Sequence, residues 1–260
     1  METFRLNDLT VGYTLRGGRQ KTIVSGIDTE LRKGKLTCLI GENGVGKSTL
    51  LRTIAGSQPA LSGEVLVDGR PIADYSRSQW ATMVSLVLPQ QPESDYITVD
   101  EVVGLGRSPY TGFWGRLSAA DREVVAESLR LVGISHLSRR RLQTLSDGER
   151  QKTMIAKALA QQTPVVLLDE PTAFLDFPSK AELLLLLRQL AAEQHKCVLL
   201  STHDLHMALQ LADNLWLLSE GQMIEGTPRQ LAQSTMLADF LHRPGIDFDP
   251  ATLSINVRFE

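Results

Sequence analysis

The stretch of sequence that decides the fold is Gly41-Glu42-Asn43-Gly44-Val45-Gly46-Lys47-Ser48, followed directly by Thr49. It matches the Gly-x-x-x-x-Gly-Lys-Ser/Thr pattern of a phosphate-binding P-loop, and residues 41–48 are called the phosphate loop below. Glycines permit backbone angles that other residues avoid, so several N–H groups can converge on one anion. An apolar run at 36–40 predicts a buried strand before the loop, and residues 48–55 predict a helix after it. The sequence therefore predicts a nucleotide site.

Two side chains of the phosphate loop are suited to a nucleotide and its metal. Lys47 is predicted to bind the β- and γ-phosphates as a point charge, and the Ser48 hydroxyl is a predicted ligand of Mg²⁺. The N-terminus of the predicted helix adds the positive end of its dipole to the same place.

Composition and charge limit the class of protein. The chain has 260 residues, of which 42% are apolar and 22% charged, as in a soluble globular protein, and its net charge of −3 argues against a nucleic-acid binder. The only tight basic cluster, Arg139-Arg140-Arg141, is expected on a solvated surface, with partner binding as the alternative. Cys38 and Cys197 lie in apolar runs and are predicted to be buried free thiols. Without a signal-peptide pattern or a run long enough to cross a bilayer, a cytosolic chain is expected.

Strand and helix patterns alternate along most of the chain. Strands are predicted at 4–9, 22–31, 63–69, 83–88, 165–168, 196–200, 214–218 and 253–259. Helices are predicted at 98–105, 119–131, 149–160 and 228–241, and also between the strands at 165–168, 196–200 and 214–218. The alternation predicts an α/β fold with a mainly parallel sheet, an antiparallel β part at the N-terminal side and an α-helical insertion at 92–157.

A pair of acids follows the buried strand at 165–168. The carboxyl ends of parallel strands face the ligand crevice, and the phosphate loop lies at the same edge. Asp169 is therefore predicted to bind Mg²⁺, and Glu170 is predicted to act as the general base for a water. The alternative is that both acids simply end a strand at the surface.

Two further polar residues follow neighbouring strands. His203 is expected to reach the γ-phosphate or the attacking water, and Gln90 to offer its amide to the metal or the water. Gln91 is an equally placed candidate for the second role.

A second glycine-containing segment is Leu145-Ser146-Asp147-Gly148-Glu149-Arg150-Gln151, called the Ser146 segment below. Ser146 with Glu149 three residues later forms a capping box, which explains these two residues as a helix start. It does not explain Gly148, because glycine is a poor helix former. The segment is therefore predicted to be a second anion-binding helix N-terminus.

Taken together, the phosphate loop, Gln90, the Ser146 segment, the Asp169-Glu170 pair and His203 resemble the nucleotide-binding subunit of an ABC transporter over nearly the whole chain. The resemblance implies a RecA-like P-loop NTPase core and an ATPase that uses ATP and Mg²⁺. It further implies that Ser146 and Gly148 contact the γ-phosphate held by the phosphate loop of a second copy. By the same resemblance, Tyr13 stacks on adenine, and Asp176 lies in the loop that crosses the dimer interface.

The expected partners and location come from the same resemblance. They are a second copy of the chain, multi-spanning membrane permease subunits docked at the Gln90 loop and the insertion, and indirectly a substrate-binding protein, with no nucleic acid. The expected location is peripheral, on the cytoplasmic side of the inner membrane. One ABC ATPase domain is expected over 1–260, with a nucleotide-binding core at 1–91 and 158–222, a helical subdomain at 92–157 and an extension at 223–260.

Three residues depart from the family pattern. Asp147 and Glu149 place two acids close to a phosphate, so the Asp147 carboxylate is expected to repel a nucleotide unless it points away, and Glu149 to be held by the helix cap. Phe174 occupies a position usually filled by a small residue.

Residues 98–110, 225–228 and 249–252 resemble ATPases of iron–siderophore, haem and cobalamin importers, among which a siderophore complex is favoured because such members are numerous. Haem or cobalamin import remains an alternative. Two further alternatives are a soluble ABC-type ATPase acting on DNA or the ribosome, and a P-loop small-molecule kinase, which the Ser146 segment does not fit.

Overall fold

The computed structural model describes residues 1, 3–89, 96–112, 114–173, 175–234, 237, 240–241 and 246–257. The strands are β1 Phe4–Thr14, β2 Gln20–Leu31, β3 Leu36–Ile40, β4 Ser62–Val67, β5 Arg70–Pro71, β6 Val84–Val87, β7 Val165–Leu168, β8 Cys197–Thr202, β9 Asn214–Ser219, β10 Gln222–Gly226, β11 Ile246–Asp249 and β12 Ser254–Val257. The helices are α1 Lys47–Ile54, α2 Arg77–Ala81, α3 Val99–Gly104, α4 Ala119–Leu131, α5 Asp147–Ala160, α6 Phe177–Glu193, α7 Leu205–Leu211 and α8 Pro228–Gln233. Short 3-10 turns occupy Ile72–Asp74, Leu105–Arg107, Ser135–Leu137 and Leu142–Thr144.

A six-stranded sheet in the order β10-β9-β3-β8-β7-β6 forms the centre. The pairs β9–β3, β3–β8, β8–β7 and β7–β6 are parallel, and β10 is antiparallel to β9. A separate antiparallel sheet has the order β2-β1-β4-β5, and β11 pairs with β12 in a hairpin. Because β3 lies inside the parallel sheet and ends at the phosphate loop, the nucleotide residues lie at its carboxyl edge.

The parallel sheet is covered on both faces, which explains why its strands are apolar throughout rather than alternating. Leu36, Cys38 and Ile40 of β3 contact the apolar cluster that includes α3 to α7. Leu39, between them, contacts the opposite cluster, which includes α1 and the antiparallel sheet. Cys38 and Cys197 are buried and free, as expected, and burial raises the pKa of each thiol to about 12.

The predicted fold class is confirmed: a mainly parallel sheet, an antiparallel β part near the N-terminus and an inserted group of helices. The predicted strand at 165–168 and helix at 119–131 have the observed bounds. None of the helices in the described part of the chain has the length and apolar character needed to cross a membrane.

Two predicted elements were wrong by five or more residues at their C-terminal ends. The first strand does not end at residue 9 but continues to Thr14, because an irregularity around Asp8, whose φ is +44°, keeps the pairing with β2 and β4 through a polar interruption. The predicted helix at 228–241 is interrupted, since α8 ends at Gln233 and Ser234 is extended. Ser234 bonds the Leu231 carbonyl through both its N–H and its hydroxyl, which is the local competition that ends helices at such residues.

The sequence analysis also missed four elements: β5, α2, β10 and β11. It placed the start of α5 at Glu149, whereas the helix begins at Asp147, directly after its cap at Ser146.

Candidate nucleotide-binding site

The phosphate loop curls around the ammonium group of Lys47. Lys47 Nζ donates hydrogen bonds to the carbonyl oxygens of Gly41 at 2.9 Å and Glu42 at 3.2 Å, and the side chain is only 4% exposed. Gly44 and Gly46 have φ of +82° and +117°, which strongly favour glycine. A Cβ on Gly46 would also lie 2.2 Å from Cγ2 of Ile23. The turn therefore depends on these glycines, and it places the buried Lys47 ammonium inside the phosphate loop.

The first turn of α1 is open toward a ligand. Its N-cap is Gly46, which provides no side-chain hydrogen bond, and the turn contains no acidic residue. The backbone N–H groups at the start of α1 are therefore available to an anion, and no carboxylate within the first turn of the helix offsets its dipole.

The acid pair after β7 lies next to this turn. Glu170 Oε1 is 3.4 Å from Lys47 Nζ, and Ser48 donates a hydrogen bond to Asp169 Oδ1 at 3.0 Å. Glu170 has φ of +46°, an uncommon conformation for a non-glycine residue. The sheet edge thus brings both acids next to the phosphate loop, although Ser48 and Asp169 are 121 residues apart in the sequence.

Ser201, at the end of β8, connects the two acids and was missed by the sequence analysis. Its hydroxyl donates to Asp169 Oδ1 at 2.8 Å and accepts the backbone N–H of Glu170 at 2.9 Å, and the residue is fully buried. The signal in the sequence was a Ser-Thr pair ending an otherwise apolar strand.

His203 lies at the same edge, immediately after β8. Its Nδ1 is 3.7 Å from Glu170 Oε2, on the side of the carboxylate that Lys47 does not occupy, and the imidazole is half exposed. Glu170 is therefore placed between a buried ammonium and a solvent-accessible imidazole.

Tyr13 is held beside α1 by the antiparallel sheet. Its hydroxyl is 2.7 Å from the Thr49 hydroxyl, and the residue is 42% exposed. A half-exposed aromatic ring fixed next to the phosphate loop offers a flat apolar surface to a base.

The Ser146 segment forms the N-terminus of α5 and is closed by hydrogen bonds between its own residues. Ser146 accepts the N–H of Glu149 at 3.3 Å, and Glu149 accepts the N–H of Ser146 at 2.8 Å, which completes the expected capping box. The N–H and hydroxyl of Ser146 hold the pKa of the Glu149 carboxyl below its usual value. Asp147 Oδ1 accepts a hydrogen bond of 2.8 Å from Arg150.

Gly148 and Asp176 complete the residues proposed for the dimer site. A Cβ on Gly148 would meet only Leu175, at 3.8 Å, so nothing within the chain requires glycine there. Asp176 caps α6 by accepting the Ser179 N–H at 3.0 Å, and the Ser179 hydroxyl and N–H lower the pKa of the Asp176 carboxyl.

A model of the ABC transporter family matches residues 24–173, more than half of the chain. This chain belongs to the ABC transporter family. The achromobactin transport ATP-binding protein CbrD of Dickeya dadantii is 40% identical to it over 83% of this chain and 78% of its own length. The hemin import ATP-binding protein HmuV of Streptomyces coelicolor is 39% identical over 82% and 74%. The dimeric structure of a bacterial ABC transporter cassette is 25% identical, with a TM-score of 0.74, and covers 86% of this chain and 98% of that one.

Membership makes this protein an ATP-binding subunit. The family match covers the phosphate loop, the Ser146 segment and the acid pair, and ends before Asp176 and His203, for which the geometry given above is the support. Gln90, Gln91 and Phe174 lie outside the described residues of this ABC transporter chain.

The donors beside the phosphate loop fit Mg²⁺. A hydroxyl and a carboxylate oxygen 3.0 Å apart are oxygen ligands of the kind that Mg²⁺ takes, and it binds nucleotide sites through few protein groups. The described residues contain no group of three or more His, Cys, Asp or Glu side chains that could hold a metal by themselves.

Proposed function

We propose that the chain is the ATP-hydrolysing subunit of a membrane importer that takes up an iron complex of the siderophore type. The observation that carries the hydrolysis is the placement of Glu170 between Lys47 and His203, with Asp169 and Ser48 beside them. The cargo class is supported by the likeness to CbrD and by the resemblance of residues 98–110 to this group of ATPases.

Lys47 and Glu170 would change partners when ATP binds. In the structure the ammonium is held by two carbonyls and Glu170. The β- and γ-phosphates offer it more negative charge, so Lys47 would bind them and release the Glu170 carboxylate toward a water. Tyr13 would stack on the adenine, and the N–H groups of residues 41–49 would surround the phosphates.

Hydrolysis would then follow from positioning and charge. The water oxygen bonds to the γ-phosphorus, the bond from phosphorus to the β–γ bridging oxygen breaks, and Glu170 takes the proton of the water. His203 would hold the water or the γ-phosphate, and Gln90 is proposed as a further metal and water ligand. Ser48 and Asp169 would hold Mg²⁺, which when bound offsets the charge of the phosphates.

The second half of each site would come from a second copy. Ser146 and Gly148 of one subunit would face the γ-phosphate held by the other across a two-fold axis, with Asp176 at the interface. ATP binding favours the closed pair, and hydrolysis removes the bridge, so the pair opens. We propose that multi-spanning permease subunits receive this motion on the cytoplasmic side of the membrane, and that a substrate-binding protein delivers the cargo to them.

Replacement of the general base tests the proposal most directly. Glu170→Gln should retain ATP binding, lower the hydrolysis rate by about 10²-fold or more, and accumulate an ATP-bound dimer measurable by light scattering. Glu123→Gln, the same change at an exposed position of α4, is the control and should behave as the unmodified chain. Hydrolysis by Glu170→Gln at an unchanged rate would overturn the assignment.

A second candidate cargo is haem, which the likeness to HmuV favours. The two are separated by purifying the chain with its membrane subunits in vesicles and measuring which loaded binding protein stimulates ATP hydrolysis. A ferric siderophore complex should stimulate hydrolysis and haem should not; the reverse result would replace the first cargo with the second.

A further inference from the structure

Arg107 is a buried charged residue that the proposed reaction does not use. It ends the 3-10 turn Leu105–Arg107 after α3 and is 7% exposed. Its Nε donates to Asp121 Oδ1 at 2.9 Å, and its Nη1 donates to the Ala160 carbonyl and to Gln162 Oε1, each at 2.8 Å. Its guanidinium also stacks 3.9 Å from the centre of the Tyr110 ring.

These contacts join α4 of the insertion to the C-terminal end of α5. Asp121 is in the first turn of α4, Ala160 is the last residue of α5, and Gln162 lies in the connection to β7. Hydrogen bonds from the Ser118 hydroxyl and from Arg107 lower the pKa of Asp121 to about 2, so the pair is ionised near neutral pH. Gly106 packs so closely on α5 that a Cβ would lie 2.2 Å from the Lys157 carbonyl oxygen.

The same end of α5 is also bound to the nucleotide-binding core. The Tyr110 hydroxyl donates to the Gln161 carbonyl at 2.9 Å. The Gln161 side-chain amide donates to the carbonyls of Ala81, at 2.6 Å, and Val84, at 3.1 Å, in α2 and β6. The C-terminus of α5 is therefore clamped between the insertion on one side and the core on the other.

The opposite end of α5 carries the Ser146 segment. The helix has 14 residues and is about 21 Å long, so a tilt of about 10° at Ala160 would move its N-terminus by about 4 Å. A displacement of that size is larger than a hydrogen bond to a phosphate tolerates. A buried ion pair often adds little net stability, so its main effect here is to fix the relative positions of the elements it joins.

We propose that Arg107 is a positioning residue that fixes the angle of α5 relative to α4 and the core, so that the Ser146 segment moves as one body with the insertion. The effect on ATP hydrolysis rests on the proposed function, whereas the effect on the angle of α5 does not. The two can therefore be measured separately.

Spin labels test the positioning in the isolated subunit. Labels at Asp147→Cys, in the first turn of α5, and at Ala192→Cys in α6 lie on exposed positions of the insertion and the core. The native thiols will not compete, because both are buried and have a pKa of about 12. Arg107→Met, which keeps a long side chain without its charge, should broaden the distance distribution between the labels. An unchanged distribution would overturn the proposal.

The enzymatic arm separates positioning from stability. Arg107→Met should lower kcat by about tenfold or more and leave the KM for ATP within about twofold, because the phosphate loop is not touched. Val125→Ala in α4 removes buried apolar volume without touching Arg107 and is the control for lost stability. At matched Tm, Val125→Ala should keep kcat within about twofold. If kcat instead followed Tm equally in both variants, Arg107 would be only structural.

A milder variant guards against misfolding. Asp121→Asn keeps the shape of the Arg107 partner and removes its charge, and it should show intermediate broadening and an intermediate kcat. Full activity together with a broadened distribution would contradict the link between the angle of α5 and hydrolysis. Absence of ATP hydrolysis in the unmodified chain would refute the proposed function while the label distances still decide the role of Arg107.

Discussion

The N-termini of α1 and α5 are two helix starts with opposite electrostatics. At α1 the cap is a glycine, the first turn has no acid, and a buried lysine is aimed at the loop. At α5 the cap is a serine in a completed capping box, and Asp147 and Glu149 occupy the first turn. The first turn is left open for an anion, whereas at the second the Glu149 carboxylate accepts the Ser146 N–H and the Ser146 hydroxyl accepts the Glu149 N–H. Under the proposed function, we therefore expect α1 to bind phosphate within one subunit and α5 to contribute only to a phosphate already held by another.

The largest expected effect is that a change at the start of α1 weakens ATP binding, whereas a change at the start of α5 blocks hydrolysis alone. Lys47→Ala should weaken ATP binding by roughly 30- to 100-fold, about 2–3 kcal/mol, because it removes a charged donor to the phosphates. Ser146→Arg should leave ATP binding by the monomer within about twofold and abolish hydrolysis, because it obstructs only the proposed contact between two copies. Nucleotide titration and phosphate release measure both quantities. An equal loss of ATP affinity in both variants would show that the two segments act within one subunit.

The second comparison concerns the two glycines. Gly46→Ala should destabilise the subunit by about 2 kcal/mol, because φ is +117° and a Cβ would clash with Ile23. Gly148→Ala has room and a helical position, so it should leave stability unchanged or raise it by about 0.5 kcal/mol while it lowers hydrolysis. Urea unfolding at neutral pH gives both values. A destabilised Gly148→Ala would mean that this glycine serves the fold of its own chain.

The smallest expected effect concerns the charge at the start of α5. Glutamine keeps the capping box, so Glu149→Gln removes a negative charge without removing the cap. The ATP-dependent dimer should become a few-fold tighter, about 0.3–1 kcal/mol, and the gain should shrink as salt is added. Glu123→Gln again provides the control. A weaker dimer in Glu149→Gln would show that the carboxylate supports the interface instead of opposing it.

How much the sequence could predict differs between the same two regions. Residues 36–55 predicted the strand, the turn and the helix correctly, because an apolar run indicates the strand and glycine spacing constrains the backbone of the turn locally. The join of Ser48 to Asp169 was predictable from the common edge of parallel strands. Ser201 was missed because its role depends on β8 lying beside β7, which one polar residue in an apolar run does not reveal.

The pairing of Asp147 with Arg150 shows a second limit. The sequence analysis expected the Asp147 carboxylate to repel a nucleotide unless it points away, and the structure engages it with a cation one helical turn later. The three-residue spacing of Asp147 and Arg150 permits this contact. A long, half-buried arginine has other rotamers, however, so the spacing alone does not predict it. The end of α8 was similarly unpredictable, because Ser234 could have continued the helix or closed it.

Crosslinking between subunits tests the central claim most directly, which is that each ATP lies between the phosphate loop of one copy and the Ser146 segment of the other. Asn43→Cys and Asp147→Cys, both at exposed positions, are made in separately tagged chains that also carry Glu170→Gln. Cys38 and Cys197 are buried, so a short thiol crosslinker should join only the introduced cysteines. The account predicts a covalent pair containing one chain of each kind, formed only with Mg-ATP. A dimer that forms with ATP but yields no such pair, or a pair that forms equally without nucleotide, would contradict it.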